Sequence, residues 1–219
     1  THINGNVVGV ILVKKGYAKK ELQINMKSLF ALAPEPLPDI VTDNICEMAK
    51  IFPEEEGKIG PNDINTEGIK DNTIRDCKIR WIHPDSDETK KLTNLCTNLF
   101  FESNRMFFGL DLTKIYNIQY TEYHGDTKGF YHTHMDSYAG SGELSDRKLS
   151  MTIQLSDSHE YEGGDFQFRD DISNIPTKEQ LRKKGTVMIF PSFLYHSVQP
   201  VTKGIRKSLV TWIEGPAWR

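Results

Sequence analysis

The chain has 219 residues, enough for one domain with a substantial core, and its 37% hydrophobic and 26% charged residues exclude a disordered protein. A net charge of −3 gives no overall basic excess, so nucleic acid is not an expected partner. No apolar stretch approaches the roughly 20 residues of a membrane span, and three cysteines without a C-x-x-C pair favour free thiols and a cytoplasmic location.

The first 35 residues predict a small β element followed by an extended arm. Residues 7–13 are rich in β-branched side chains, which favour a strand. Pro34, Pro36 and Pro38 follow within five positions and exclude a regular helix there. We expect a connector between this element and the rest of the chain.

Two helices are predicted in the next part of the chain. Apolar residues at helical spacing indicate a helix over 39–52, with Asp39 as its N-cap. A second helix is predicted to begin within 85–88, where acidic and capping residues favour an N-terminus. Between them, residues 57–73 predict a long surface loop, and loose alternation over 74–82 predicts one strand.

From residue 115 onward the pattern changes to short alternating segments separated by glycine-rich turns. The predicted strands cover residues 115–123, 131–136, 149–155, 165–168, 186–190, 195–199 and 206–213. Strands at such intervals are typical of a sandwich or barrel. Because helices precede the strands, the predicted fold class is α+β with a β-barrel core.

An H-x-D pair, His134 and Asp136, lies in one of these strands. Residues two apart in a strand point to the same face, so the imidazole and the carboxylate project together. His196 is the candidate third ligand. Two histidines and one carboxylate form the facial triad of non-haem Fe(II) oxygenases. His132, two residues before His134, shares that face and stays an alternative ligand.

Arg206 follows His196 by ten residues. If the chain turns and pairs back on itself, Arg206 returns to the same cavity, where its guanidinium can hold a dicarboxylate through two parallel hydrogen bonds. Ser208 lies two residues further on the same face and can donate a hydroxyl to that carboxylate.

These motifs resemble the 2-oxoglutarate/Fe(II)-dependent dioxygenases, and within them the prolyl 4-hydroxylase-like branch with its free-standing bacterial and phage members. The resemblance covers residues 120–218, nearly half of the chain. Its segments are Tyr123-His124-Gly125, Tyr131-x-x-His134-x-Asp136, the run from Leu149 to Asp157, Tyr161-Glu162-Gly163-Gly164-Asp165-Phe166, the run from Gly185 to Pro191, and Gly204-x-Arg206-x-Ser208-Leu209-Val210-x-Trp212.

The resemblance implies a double-stranded β-helix, or jelly roll, braced by the N-terminal helices. It implies a single catalytic domain over 1–219, divided into an N-terminal β element and arm (1–35), a helical support (36–110) and a jelly-roll core with the metal site (111–219). It further implies Fe(II), 2-oxoglutarate and O₂, with ascorbate as an additional candidate cofactor.

By the same resemblance, Arg206, Ser208, Tyr123 and Gln154 are expected to bind 2-oxoglutarate. The implied reaction is hydroxylation of an unactivated C–H bond, with 2-oxoglutarate decarboxylated to succinate and CO₂. Asp136 is present, whereas related halogenases replace this carboxylate by a small residue, so hydroxylation is favoured.

The expected substrate is a peptidyl-proline, and three further residues are candidates for lining the substrate mouth: Tyr131, Arg147 and Trp212. The main alternative is hydroxylation of a free amino acid, another side chain or a small metabolite. A more remote alternative is a non-catalytic jelly-roll binding module. Neither alternative involves nucleic acid or a membrane.

Overall fold

The structure is a computed structural model that describes residues 2–3, 6–8, 23–24, 26–60, 68–84, 86–137, 145–169 and 175–218. The helices are α1 (Asp39–Ala49), α2 (Lys90–Ser103), which continues into a π-helical turn (Asn104–Phe108), and α3 (Lys178–Arg182). No helix in these ranges has the length and apolar character to cross a membrane.

The strands, in chain order, are β1 (His2–Ile3), β2 (Asn6–Val8), β3 (Gln23–Ile24), β4 (Ala31–Leu32), β5 (Glu55–Glu56), β6 (Arg75–Asp76), β7 (Lys78–Ile82), β8 (Ile115–His124), β9 (Phe130–His134), β10 (Ser145–Gln154), β11 (Tyr161–Gly163), β12 (Phe166–Phe168), β13 (Val187–Pro191), β14 (His196–Val198) and β15 (Val201–Pro216).

Two antiparallel sheets form the core. The major sheet has the order β4-β13-β10-β15-β8-β7-β5, with β11 also paired to β15, and the minor sheet has the order β12-β14-β9-β6. Strands β1, β2 and β3 form a separate small sheet. The crossing order of the two larger sheets is that of a jelly roll, so the predicted fold class is confirmed.

Alternation along β15 gives the major sheet two different faces. Leu209 and Ile213 pack into the main hydrophobic cluster together with residues of both long helices, such as Ile45 and Phe100. Residues of the opposite parity, from Arg206 to Trp212, line a cavity instead. The helices therefore cover one face, and the other face is left for chemistry.

The observed ends of the helices differ from the predicted ones where contacts with other parts of the chain determine the end. α1 begins at Asp39, with Pro38 rather than Asp39 in the N-cap position, and it ends at Ala49. α2 begins at Lys90 rather than within 85–88, because the Thr89 hydroxyl donates to the carbonyl of His83 and closes a turn first.

The single strand predicted over 74–82 is two strands. β6 joins the minor sheet through Tyr131, whereas β7 joins the major sheet through β8, and the chain changes sheet at Cys77. Within the predicted surface loop, the described residues form one β-bridge between Ile59 and Ile69, and residues 61–67 lie outside the described part.

Gly204 is the glycine on which the start of β15 depends. Its φ is +69°, and a Cβ there would lie 2.0 Å from the carbonyl oxygen of Glu160. We expect Gly204→Ala to lower the free energy of unfolding by about 2 kcal/mol or more, because a strained backbone and a clash are combined.

Urea unfolding would measure this change, with Gly60→Ala as the matched control. A Cβ at Gly60 meets no atom within 4 Å, and this glycine has no positive φ. Equal stability of the two variants would contradict the expectation.

Candidate metal centre and active-site cavity

Pairing of β14 with β9 brings two histidines together, since His196 and His134 are direct partners in the register. Asp136 joins them: its carboxylate oxygens lie 3.6 Å from His134 Nε2 and 3.5 Å from His196 Nε2. One donor atom from each of the three lies within 4.8 Å of the others. The arrangement has the size of a metal site.

Asp136 does not lie in a strand, contrary to the sequence prediction. β9 ends at His134, and the N–H of Asp136 donates to the Ser192 carbonyl at 2.9 Å. This bond draws the chain across to the loop before β14. The carboxylate consequently reaches the two imidazoles from a turn rather than from the strand.

Backbone carbonyls fix the orientation of both imidazoles. His134 Nδ1 donates to the carbonyl of His132 at 2.8 Å, and His196 Nδ1 donates to that of Leu194 at 2.9 Å. Nε2 of each ring is then the basic nitrogen that can bind a metal. Tyr131 stacks on His134 with 3.5 Å between ring centroids, and Phe166 stacks on His196 at 5.4 Å.

The electrostatics favour the protonation states that a metal requires. Burial, and then the nearby His196, lower the pKa of His134 to about 3, so this imidazole is neutral near pH 7. Burial opposes ionisation of Asp136, but His196, His134, Arg147 and a hydrogen bond from Ser150 together lower its pKa. A neutral imidazole and an ionised carboxylate are ready to coordinate a cation.

His132, the alternative ligand, lies elsewhere. Its side chain is exposed and packs against Phe130, with 4.6 Å between ring centroids. Within the described ranges, the group of three possible metal ligands contains His134 and not His132.

The triad opens into a cavity of about 980 Å³ between the two sheets. Arg206 and Ser208 of β15 and Tyr123 of β8 line it. Arg206 pairs with Tyr123 in the register, and its guanidinium carbon lies 5.7 Å from the centroid of that ring. Arg206 is only 4% exposed, and no carboxylate of the described residues lies within ion-pair distance of it. The cavity therefore holds a buried cation without a counter-ion.

Tyr131, Arg147 and Trp212, the residues predicted for the substrate mouth, also line the cavity. Arg147 reaches it because β10 has an irregular register between Arg147 and Leu149. This bulge directs Leu149 into the core under the helices while Arg147 faces the cavity. The guanidinium of Arg147 stacks over Trp212 at 4.0 Å.

Gln154 is the predicted site residue that does not line the cavity. Its Nε2 donates to the carbonyl of Ser156 and to the Tyr161 hydroxyl, and its Oε1 is buried without a partner in the described part of the chain. Contact between Gln154 and 2-oxoglutarate stays a prediction.

Sequence reasoning missed Ser150 and Arg75. The Ser150 hydroxyl donates to Asp136 Oδ2 at 2.7 Å, and polar residues at alternate positions of a core strand were the signal for it. Arg75 lines the cavity from β6. The sequence pattern that could have indicated it is a charged residue at the first of three alternating positions, followed by Cys77 and Ile79.

Comparison with known proteins identifies the core. Residues 118–214, a little under half of the chain, match the model of the 2OG-Fe(II) oxygenase superfamily. Over this range the chain is similar to the 2OG-Fe(II) oxygenase superfamily. The chain is 40% identical over 89 residues to a PKHD-type hydroxylase of Synechococcus sp. (strain CC9311), covering 41% of this chain and 38% of that protein. It thus spans well under two thirds of this curated relative.

Two solved structures have the same fold. A Pseudomonas putida prolyl-4-hydroxylase superposes with a TM-score of 0.62 at 17% identity, covering 87% of this chain and 94% of the other. A Trichoplax adhaerens prolyl hydroxylase, in complex with a hypoxia-inducible-factor peptide fragment, gives a TM-score of 0.64 at 17% identity, covering 85% and 83%.

The residues present fit the groups that this superfamily takes. Two imidazoles and a carboxylate on one side of an open cavity are the donor set of a non-haem Fe(II) site in a 2OG-Fe(II) oxygenase. The partnerless guanidinium of Arg206 fits the distal carboxylate of 2-oxoglutarate.

We expect Ser150→Ala to weaken Fe(II) or Co(II) binding by about tenfold. The hydroxyl orients Asp136 and stabilises its ionised form, and residues that support a ligand in this way commonly change affinity by 10–100-fold. Equilibrium titration of the metal-free protein would measure the effect.

Ser192→Ala is the matched control. Ser192 Oγ lies 3.0 Å from Ser150 Oγ, and Asp136 contacts only the main chain of Ser192. Metal affinities that fall equally in both variants would argue against an orienting role for Ser150.

Proposed function

We propose that this protein is an Fe(II)/2-oxoglutarate-dependent dioxygenase that hydroxylates an unactivated C–H bond, most consistently that of a peptidyl-proline. The observation that carries the proposal is one cavity with a two-histidine, one-carboxylate cluster and a buried arginine that has no acid partner among the described residues. The match of residues 118–214 to the 2OG-Fe(II) oxygenase superfamily supports the same chemistry.

In this proposal His134, Asp136 and His196 would hold the iron, which with electrons from 2-oxoglutarate would activate O₂ as the oxidant, a chemistry that no side chain supplies. The carbonyls of His132 and Leu194 keep the two imidazoles aimed at one point. Main-chain carbonyls therefore orient the two imidazoles.

The cosubstrate is held by Arg206, with Ser208 and Tyr123 as hydroxyl donors beside it. A bidentate contact to the distal carboxylate satisfies the buried guanidinium and fixes the direction in which 2-oxoglutarate approaches the metal. The walls that separate this end from solvent are the two sheets, which exclude water from the reacting groups.

The substrate class rests on similarity. The P. putida and Trichoplax proteins are described as prolyl hydroxylases, the second with a peptide bound, and the Synechococcus relative as a PKHD-type hydroxylase. A peptide substrate in the cavity lined by Tyr131, Arg147 and Trp212 is consistent with the 980 Å³ available.

We propose a single catalytic domain, because α1, α2 and the jelly roll share one hydrophobic cluster. Cys46, Cys77 and Cys96 are free thiols, which supports a reducing, cytoplasmic location.

The proposal predicts a weak visible metal-to-ligand band when the protein is titrated anaerobically with Fe(II) and 2-oxoglutarate. We expect Asp136→Ala to abolish the band and Arg206→Ala to weaken 2-oxoglutarate binding by at least tenfold, because one removes a ligand and the other the counter-ion. Exposed Arg105→Ala is the control and leaves the band unchanged. A parent protein without the band would contradict the oxygenase proposal.

A second pair of variants tests which histidine binds the metal. His134→Ala is expected to lose Fe(II) binding, whereas His132→Ala retains it within about twofold, because the His132 side chain is exposed and only its carbonyl supports the site. Titration of each variant with Co(II), followed by its visible spectrum, separates the two. The reverse result would make His132 the ligand.

A further inference from the structure

Three arginines face the cavity: Arg75 and Arg206 are buried, and Arg147 is half-buried. Elsewhere in the described chain, Arg80 pairs with Glu54 and Arg182 pairs with Asp165. None of the three cavity arginines has a carboxylate within 4 Å among the described residues.

A buried charge without a counter-ion costs several kcal/mol, so such groups are rare where they have no role. A single 2-oxoglutarate accounts for one of the three cations, since one carboxylate meets Arg206 and the other end belongs at the metal. Two guanidinium groups remain, and neither has a carboxylate within 4 Å among the described residues.

Arg75 is 7% exposed and only partly satisfied. Its Nε donates to Cys77 Sγ and its Nη1 to the carbonyl of Lys58, both at 3.0 Å. Nη2 has no acceptor in the described part of the chain. Arg75 also lies over the ring of Tyr131, 4.6 Å from its centroid.

Arg147 has even fewer partners. Among the described residues, its one contact to an acceptor is a long one, from Nη1 to the main-chain oxygen of Asp136 at 3.5 Å. The carboxylates of Asp136 and Glu214 are electrostatic neighbours of Arg147 but lie beyond ion-pair distance. It stacks on Trp212, whose indole Nε1 is buried and has no acceptor among the described residues. Several donors in this part of the cavity therefore need an acceptor that the described chain does not provide.

Each of the two arginines is close to the metal cluster: Arg75 is an electrostatic neighbour of His134, and Arg147 of Asp136. Tyr131 is an electrostatic neighbour of both Arg75 and Arg147, and its ring stacks directly on His134. An anion held by the pair is then close to the point where the C–H bond must be presented.

We propose that Arg75 and Arg147 bind a carboxylate of the substrate, so that the enzyme selects substrates with an acidic group close to the carbon it hydroxylates. This inference rests on the proposed dioxygenase function and names the substrate class of that same cavity. The carboxylate belongs either to an Asp or Glu side chain beside the target residue or to the α-carboxylate of a free amino acid. Both sources offer the planar acceptor pair that a guanidinium binds best.

The test compares matched probes in an assay of succinate formation from 2-oxoglutarate. One peptide pool has proline flanked by Asp or Glu, and its partner pool has Asn or Gln at the same positions. A second arm compares free L-proline, L-aspartate and L-glutamate with their α-carboxamides. We expect at least a tenfold preference in kcat/KM for the charged member in one of the two arms, and that arm identifies the source of the carboxylate.

Arg75→Met and Arg147→Met are expected to lose that preference at least tenfold, mainly through KM, while turnover of the amide probes changes little. Arg147→Lys should recover part of it, because the charge returns without the bidentate fork. Arg105→Met, an exposed arginine on the π-helical turn, leaves the preference intact.

A second readout needs no substrate. Arg147→Met carries this readout, because Arg75 also makes two hydrogen bonds to the scaffold. A structural role would make Arg147→Met less stable, whereas removal of a half-buried charge without a close counter-ion among the described residues leaves the melting temperature of the metal-free protein unchanged or higher. A lower melting temperature together with an unchanged preference would overturn the proposal.

Equal turnover of charged and amide probes, or turnover of neither, would also overturn it. Failure of the dioxygenase function itself looks different, since the anaerobic Fe(II)/2-oxoglutarate band would then be missing in the parent protein. A parent that shows the band but ignores substrate charge refutes the carboxylate proposal alone.

Discussion

The alternation of β15 is the constraint on which the rest of the structure depends. This strand pairs with β10 on one side and β8 on the other, and Leu209 and Ile213 on one of its faces pack into the core beneath α1 and α2. The intervening positions, from Arg206 to Trp212, are thereby forced onto the cavity face. A shift of one residue in register would bury Arg206 among aliphatic side chains and expose Leu209, so the hydrophobic core itself fixes the position of the guanidinium.

The minor sheet positions the two histidines of the site, and it does so through strand pairing and local hydrogen bonds. β9 and β14 are short, and their pairing matters chiefly because it sets His134 opposite His196. Each imidazole donates to a carbonyl two residues earlier in its own chain segment, so its rotation is determined locally. The carboxylate is positioned separately, by the contact of Asp136 with the Ser192 loop. The three candidate ligands therefore depend on three separate backbone features, which explains how they converge although no long strand carries all of them.

Much of this could be predicted from the sequence, and the failures have physical causes. The long strands could be predicted because a strand with one buried face has apolar residues at every second position, and this alternation is visible in the sequence. The order of His134, Asp136, His196 and Arg206 indicated one cavity. Strand ends were less predictable: β9 stops at His134 because a hydrogen bond to a distant loop, absent from any local pattern, turns the chain.

Irregular backbone was the other limit. The bulge after Arg147 reverses which parity of β10 faces the cavity, and a strict period of two cannot anticipate it. Arg75 was overlooked for a related reason, since the predicted strand over 74–82 divides between two sheets. Its charge in an otherwise apolar alternation was visible, but the cavity it faces exists only once both sheets are assembled.

The distribution of unsatisfied groups separates the site from the scaffold. The main cluster beneath the helices is almost entirely apolar, so it needs no hydrogen-bond partners and can be stabilised by packing alone. On the cavity side, Arg75, Arg147 and Arg206 have no carboxylate within 4 Å among the described residues, and the indole N–H of Trp212 has no acceptor there. A folded chain tolerates such groups when the free energy of the core offsets them and a bound ligand later satisfies them. Among the described residues, the unsatisfied groups that line the cavity are donors, so the cavity is suited to ligands rich in acceptors, such as carboxylates.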